Sequence, residues 1–261
     1  MLTPARRRGE ELIDDPAIDA RTLLRSLEDV ARSNALFGGR RAVLAALDGE
    51  FRAAGGAPRT LLDVGTGLGD IPWHARRLAE RRGVALATVG VELSPALAAA
   101  SRARVGASVC ADAFRLPFPD GAVDVVVASQ VAHHFADDDV RRLFAELGRV
   151  ARRLVVVGDL RRSYAAAAGF WAASRALGFH PVTRHDGVLS VFRGFTAAEL
   201  AAHVRAAVPG ARDVAVRRRL GWRVVAAWRP PGPAGNLPAR TDGPATASPV
   251  VGQRGPSALV G

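Results

Sequence analysis

Residues 61–70 read LLDVGTGLGD, and this stretch decides the fold. A short apolar run ends, Gly65, Gly67 and Gly69 follow at alternate positions, and Asp70 can cap a helix that carries Ile71, Ala75, Leu78 and Ala79. Glycine reaches positive φ and lets a ligand approach the backbone with no Cβ in the way. The free N–H groups where a helix starts attract a polar or anionic group. The spacing is Gly-x-Gly-x-Gly. A dinucleotide fingerprint needs its third glycine one residue later, and a phosphate-binding loop needs a Gly-Lys-Ser/Thr that is missing here.

Working outward, short apolar runs at 60–64, 86–91, 107–110, 123–128 and 154–157 alternate with helical patterns. Ser94 with Pro95 suits a helix start, and 137–139 open a helix bearing Val140, Leu143, Phe144, Leu147 and Val150. Such alternation predicts a parallel sheet covered by helices on both faces. Two helical runs precede the first strand: Leu23, Leu24, Leu27 and Val30, then Val43, Leu44, Leu47 and Phe51. After the fifth strand an apolar helix near 164–177 reads as an inserted lid. Thr196 and Glu199 form a capping box, and 213–216 and 222–228 read as two last strands. The expected division is a flexible arm at 1–20, one domain at 21–229 and a disordered tail at 230–261.

Composition narrows the class. The 261 residues are 49% hydrophobic, yet no run is apolar and long enough to cross a bilayer. The basic start has no apolar segment behind it, so no secretory signal is expected. With a single cysteine, Cys110, no internal disulfide can form, which suits a reducing cytoplasm. The net charge of +11 invites a nucleic-acid reading. However, the chain has no lysine, and its arginines fall in scattered pairs such as Arg76–Arg77 and Arg141–Arg142, as on solvated helix faces. The six histidines are spread along the chain and suggest no compact metal-ligand set.

The glycine bend and its surroundings resemble class I S-adenosylmethionine (SAM)-dependent methyltransferases. Asp63, Gly65, Gly67 and Gly69 match that family's first motif, an acid, any residue, then Gly-x-Gly-x-Gly. VGVELS, CADAFRLPFPDG and LPFPDGAVDVVVASQVAHHF follow in the order the family requires. The ends, including DLRRS and VTRHDGVLSVFRGFT, resemble its ubiquinone-biosynthesis-like (UbiE-like), methyltransferase type 11 group. The resemblance implies a Rossmann-like α/β fold with a seven-stranded, mostly parallel sheet, N-terminal helices and a lid helix. Its cofactor is SAM. By that likeness Asp63, Gly65, Thr66, Gly67 and Gly69 cradle the ligand, and Glu92, followed by Leu93, accepts hydrogen bonds from the ribose hydroxyls. Asp112 meets the adenine amine, Ala113 and Phe114 line the adenine pocket, and the Ser129 carbonyl faces the methionine end.

His133 and His134 follow the fourth strand and are the candidate general bases. Phe37, Tyr164, Trp171 and His185 are candidate acceptor-pocket residues, and Asp159 has two readings, orienting substrate or capping Arg161–Arg162. The implied reaction is methyl transfer to a small-molecule acceptor, such as the oxygen of a phenolic or polyketide-type metabolite, with no metal needed. Two alternatives stay open. An RNA methyltransferase would explain the charge, but Ser129-Gln130-Val131 stands where base-amine enzymes carry Asn/Asp-Pro-Pro-Tyr. A non-catalytic SAM-binding protein would carry the same cofactor residues. A homodimer is left open.

Overall fold

The computed structural model describes residues 3–15 and 17–231, so nearly all of the 230–261 tail lies outside the described residues. Helices α1 (Ala20–Leu36) and α2 (Gly39–Ala53) precede strand β1 (Arg59–Val64). Then come α3 (Asp70–Glu80), β2 (Leu86–Glu92), α4 (Pro95–Ser101), β3 (Ala107–Cys110), β4 (Val123–Ser129), α5 (Asp137–Val150) and β5 (Ala151–Leu160). The chain continues through α6 (Tyr164–Ala176), α7 (Pro181–Arg193), α8 (Ala197–Ala207), β6 (Arg212–Arg219) and β7 (Arg223–Arg229).

The strands form one sheet in the order β3-β2-β1-β4-β5-β7-β6. Strands β1 to β5 run parallel, and β7 is antiparallel to both β5 and β6. The chain winds outward from β1 to β3, then returns to start again at β4. The strand order therefore reverses between β1 and β4, and a crevice opens beyond their C-terminal ends.

Alternate side chains of each strand enter opposite layers. Leu62, Val64, Val126, Ala128, Val155 and Val157 pack with Leu143, Phe144 and Leu147 of α5 and with Leu200 and Val204 of α8. Leu61, Val125, Val127 and Val156 pack with Val43, Leu47 and Phe51 of α2 and with Ile71, Ala75 and Leu78 of α3. Burial on both faces explains the apolar run Val125–Ala128 within β4.

Several details depart from the sequence reading. Gly69, at φ +74°, occupies the N-cap of α3, and Asp70 is the first helical residue. Ser94 precedes α4 without a side-chain capping bond. The Thr196–Glu199 capping box is present. The segment after α6, to which the sequence reading assigned no element, is the helix α7. Pro181 sits in its first turn, the His180 ring accepts from the Val182 N–H, and Asp29 of α1 accepts from the His180 N–H at 2.7 Å. Helices α6 and α7 approach closely at Gly187, where a Cβ would lie 2.1 Å from the Phe170 ring.

The N-terminal stretch, read as an arm outside the domain, lies against it. The Asp186 carboxylate of α7 accepts from the backbone N–H groups of Leu12 and Ile13, each at 2.9 Å. The Arg6 guanidinium stacks on Phe195 and donates to the carbonyls of Arg193 and Phe135. Arg162 donates to the Pro4 carbonyl at 2.7 Å. These partners all lie far along the chain, so the arm's own polarity gave no sign of them.

Candidate functional site

A cavity of about 620 Å³ occupies the crevice beyond β1, β2 and β4. Its floor is the glycine bend. Gly65 and Thr66 donate their N–H groups to the Val91 carbonyl, which pins the bend to β2. Gly65, Gly67 and Gly69 have φ of +69°, +55° and +74°, a region that disfavours side chains. A Cβ on Gly65 would lie 2.4 Å from Val131 Cγ2, whereas one on Gly67 would meet nothing within 4 Å.

Three acids surround this bend. Asp63 is buried at the end of β1, and Thr66 Oγ1 donates to its Oδ2 at 2.8 Å, while Oδ1 has no hydrogen-bond partner. Burial pushes its carboxyl well above the ordinary 3.8; the Thr66 hydroxyl opposes this, and the negative charges of Asp70 and Glu92 add to it. Burial likewise raises Asp70, whose Oδ2 is buried without a partner. Glu92 at the end of β2 is raised by burial, although it accepts the Gly67 N–H. Raised carboxyls with orphaned oxygens mark a place where anionic charge is concentrated and unmet. A cation bearing hydroxyl groups suits such a floor.

The cavity brings together Asp63, Gly65, Thr66, Gly67, Glu92, Leu93, Asp112, Ala113, Phe114, Ser129, His133 and His134. Gly69 lies off the lining, beneath the bend, packed near Arg104 and Val105. Asp112 Oδ1 accepts the Phe114 N–H at 2.9 Å and so shapes the turn that carries Ala113 and Phe114.

The four candidate acceptor residues do not reach the cavity. Phe37 ends α1, its ring edge-on to Phe170 and its carbonyl accepting from Arg223, so its part is structural. Tyr164 and Trp171 are about half exposed on the outer side of α6, the latter beneath Arg175. His185 is more than half exposed and pairs with Asp186 at 2.8 Å. Instead, the far wall is built by Leu23, Leu27, Val30, Ala31 and Asn34 of α1, by Glu11 and Ile13 of the arm, and by Ser190 of α7. The apolar stripe of α1 thus lines the cavity. The polar Ser26, Asp29 and Ser33 are the buried side of that helix.

At the end of β4 the chain turns sharply. Gln130 takes φ +59°, strained for a residue with a side chain. Its amide joins Asn34 of α1 and Arg223 of β7. The short 3₁₀ turn Ala132–His134 follows. His133 is buried; its Nδ1 lies 2.7 Å from Asp159 Oδ1, and its backbone N–H reaches Asp159 Oδ2 at 3.1 Å. Burial alone would raise Asp159, but His133, the Leu160 N–H and His134 hold it below the ordinary carboxylate value. Asp159 therefore orients His133 and does not cap Arg161–Arg162. The two imidazoles stack, 4.4 Å between centroids, and each Nε2 lies 3.7 Å from a Glu11 carboxylate oxygen. The linear spacing of the histidines concealed this cluster, because its third member comes from the arm.

Comparison with known proteins agrees with the geometry. Residues 62–155 match the family model described as a methyltransferase domain. Demethylmenaquinone methyltransferase of Thermus thermophilus is 38% identical over 110 residues, 39% of this chain and 47% of that one. Ajmaline N-methyltransferase of Rauvolfia serpentina is 33% identical over 98 residues, 36% of this chain and 33% of that one. The chain thus spans about half or less of these curated relatives. Human N-acetylserotonin methyltransferase in complex with SAM superposes with a TM-score of 0.57 at 15% identity, covering 86% of this chain and 63% of that one.

The fold is thus one that SAM-dependent methyltransferases adopt, and residues 62–155 match a methyltransferase-domain model. Among the described residues no helix is long and apolar enough to cross a membrane.

Proposed function

We propose that the chain transfers a methyl group from SAM to a small-molecule acceptor, the oxygen of a phenolic or polyketide-type metabolite. One observation carries this reading: the raised, partly unpartnered carboxyls of Asp63, Asp70 and Glu92 around an open glycine bend. SAM would supply a sulfonium-activated methyl group there, with a positive charge, an ammonium, a ribose and an adenine to be held. Asp63 offers a buried negative oxygen to the ammonium, and the Ser129 carbonyl adds a second acceptor. Glu92 offers its carboxylate to the ribose hydroxyls. Asp112 meets the adenine amine, and Ala113 and Phe114 flank the ring.

The acceptor's place is the remainder of the cavity. Ile13, Leu23, Leu27 and Val30 form an apolar wall suited to a ring or chain. His133 and His134 stand at its polar end, where an imidazole can take the acceptor's proton as the methyl group moves. Asp159 fixes the tautomer of His133, with the proton on Nδ1 and the lone pair on Nε2. The chain's contribution is mainly alignment of the two reactants and handling of one proton.

Calorimetry tests the cofactor assignment. The protein should bind SAM and S-adenosylhomocysteine and give no heat with NADH. Because a side chain at Gly67 would meet nothing within 4 Å, Gly67→Arg should still fold, at some cost from the positive φ, and should block that binding. Phenolic acceptors with labelled SAM test the reaction, and a response to added RNA would favour a nucleic-acid substrate instead.

A further inference from the structure

We propose that Glu11, His133 and His134 form a binding site for one divalent transition-metal ion, opening onto the cavity where the acceptor is placed. This rests on the acceptor end assigned above. One ligand atom from each of the three residues lies within 4.8 Å of the others. Each imidazole Nε2 is 3.7 Å from an oxygen of the Glu11 carboxylate. Two ligands on a tetrahedral zinc ion stand about 3.3 Å apart, given metal–ligand distances near 2.1 Å. Contraction by a few tenths of an ångström brings each histidine to ligating distance of a shared ion with Glu11.

The surroundings have the features of a built metal site. Behind His133, Asp159 Oδ1 lies 2.7 Å from Nδ1. A carboxylate in that position fixes the ring and makes Nε2 a better ligand, as in carboxylate–histidine–zinc arrangements. Glu11 Oε1 accepts from Ser190 Oγ at 2.7 Å and lies 3.3 Å from Arg193 Nη1, so the carboxylate is held in place. Arg193 also donates to the carbonyls of His133 and His134, fixing the turn that presents both rings. Its charge opposes a cation, and the carboxylates of Glu11 and Asp159 offset it. Glu11 and His133 are nearly fully buried while His134 is about a quarter exposed, so the open side faces the cavity.

Two imidazoles and one carboxylate with an open face suit Zn²⁺, Fe²⁺ or Co²⁺ better than Mg²⁺ or Ca²⁺, which favour all-oxygen shells. An oxygen of the acceptor can fill the open position. With the ion seated, both imidazole lone pairs are engaged, so the proton-accepting role given to the imidazoles above belongs to the metal-free protein, and in the loaded one the acidified acceptor hydroxyl gives its proton to solvent.

The test uses the untagged full chain, stripped with a chelator, titrated with Zn²⁺ by calorimetry and loaded with Co²⁺ for visible absorption. One equivalent of Zn²⁺ should bind, and Co²⁺ should give the absorption of a nitrogen-liganded site. Glu11→Gln and His134→Ala should each weaken Zn²⁺ binding at least tenfold, and Asp159→Asn should do so by about 10–100-fold. Melting curves and S-adenosylhomocysteine binding check that the variants are folded. No metal uptake by the parent, or equal uptake by Glu11→Gln and His134→Ala, overturns the proposal. Metal uptake without S-adenosylhomocysteine binding would instead refute the methyltransferase reading, so the two fail separately.

Discussion

Replacing Glu92 by alanine removes the carboxylate at the end of β2 that faces the cavity. In the free protein this group accepts the Gly67 N–H at 2.5 Å, and burial raises its carboxyl above the ordinary 4.5. A hydrogen bond to a charged group contributes about 1.5–3 kcal/mol, more than a neutral one. Loss of one ribose contact of that strength weakens S-adenosylhomocysteine binding by about 10-fold to 150-fold, at 1.4 kcal/mol per tenfold change. Glu92→Gln keeps an acceptor for Gly67 and should fall between the parent and alanine. The assay is calorimetry at fixed salt, with thermal melts showing that both variants remain folded. A Kd for Glu92→Ala within threefold of the parent would refute the role of this carboxylate.

The remaining predictions concern the same scaffold. Burial raises the folded Asp63 carboxyl above its ordinary 3.8, so its contribution to stability is full below that value and is lost as pH rises through the raised one. Asp63→Asn should flatten that dependence in pH-resolved melts. It should also weaken cofactor binding; an affinity equal to the parent's would remove Asp63 from the site. Gly65→Ala places a methyl against Val131 at positive φ and should cost about 1–3 kcal/mol in urea unfolding, partly recovered with Val131→Ala. An unchanged midpoint would refute the required backbone. Asp186→Ala removes both anchors of Leu12 and Ile13 and should expose Arg6, Arg7 and Arg8 to trypsin. Cleavage at the parent's rate would show that Asp186 does not hold the arm.

Local chemistry made much of the fold legible. The β-branched run at 125–127 suits burial on both faces, and the alternate glycines mark a strand-to-helix bend. Helix α7 escaped notice because Thr183, Asp186 and Ser190 are buried along with Val191, Phe192 and Arg193, so no regular apolar face marks it. Here burial serves hydrogen bonds to the arm. The glycine end of the cavity was readable because Asp63 and Glu92 stand at the ends of strands and Asp112 two residues after one. The acceptor end was not: Phe37, Tyr164 and Trp171 were chosen for aromaticity, while the wall comes from the aliphatic stripe of α1. Glu11 carried no signal at all, since only the packing of the arm on α7 brings it to His133.

That docking has a temporal side. Glu11 is synthesised well before Asp186, Ser190 and Arg193, the residues that seat it. A nascent polypeptide halted ahead of α7 would already possess the glycine bend and its acids, yet its cavity would lack one wall. The wall opposite the glycine bend is thus completed only once α7 has left the ribosome and the arm can settle on it.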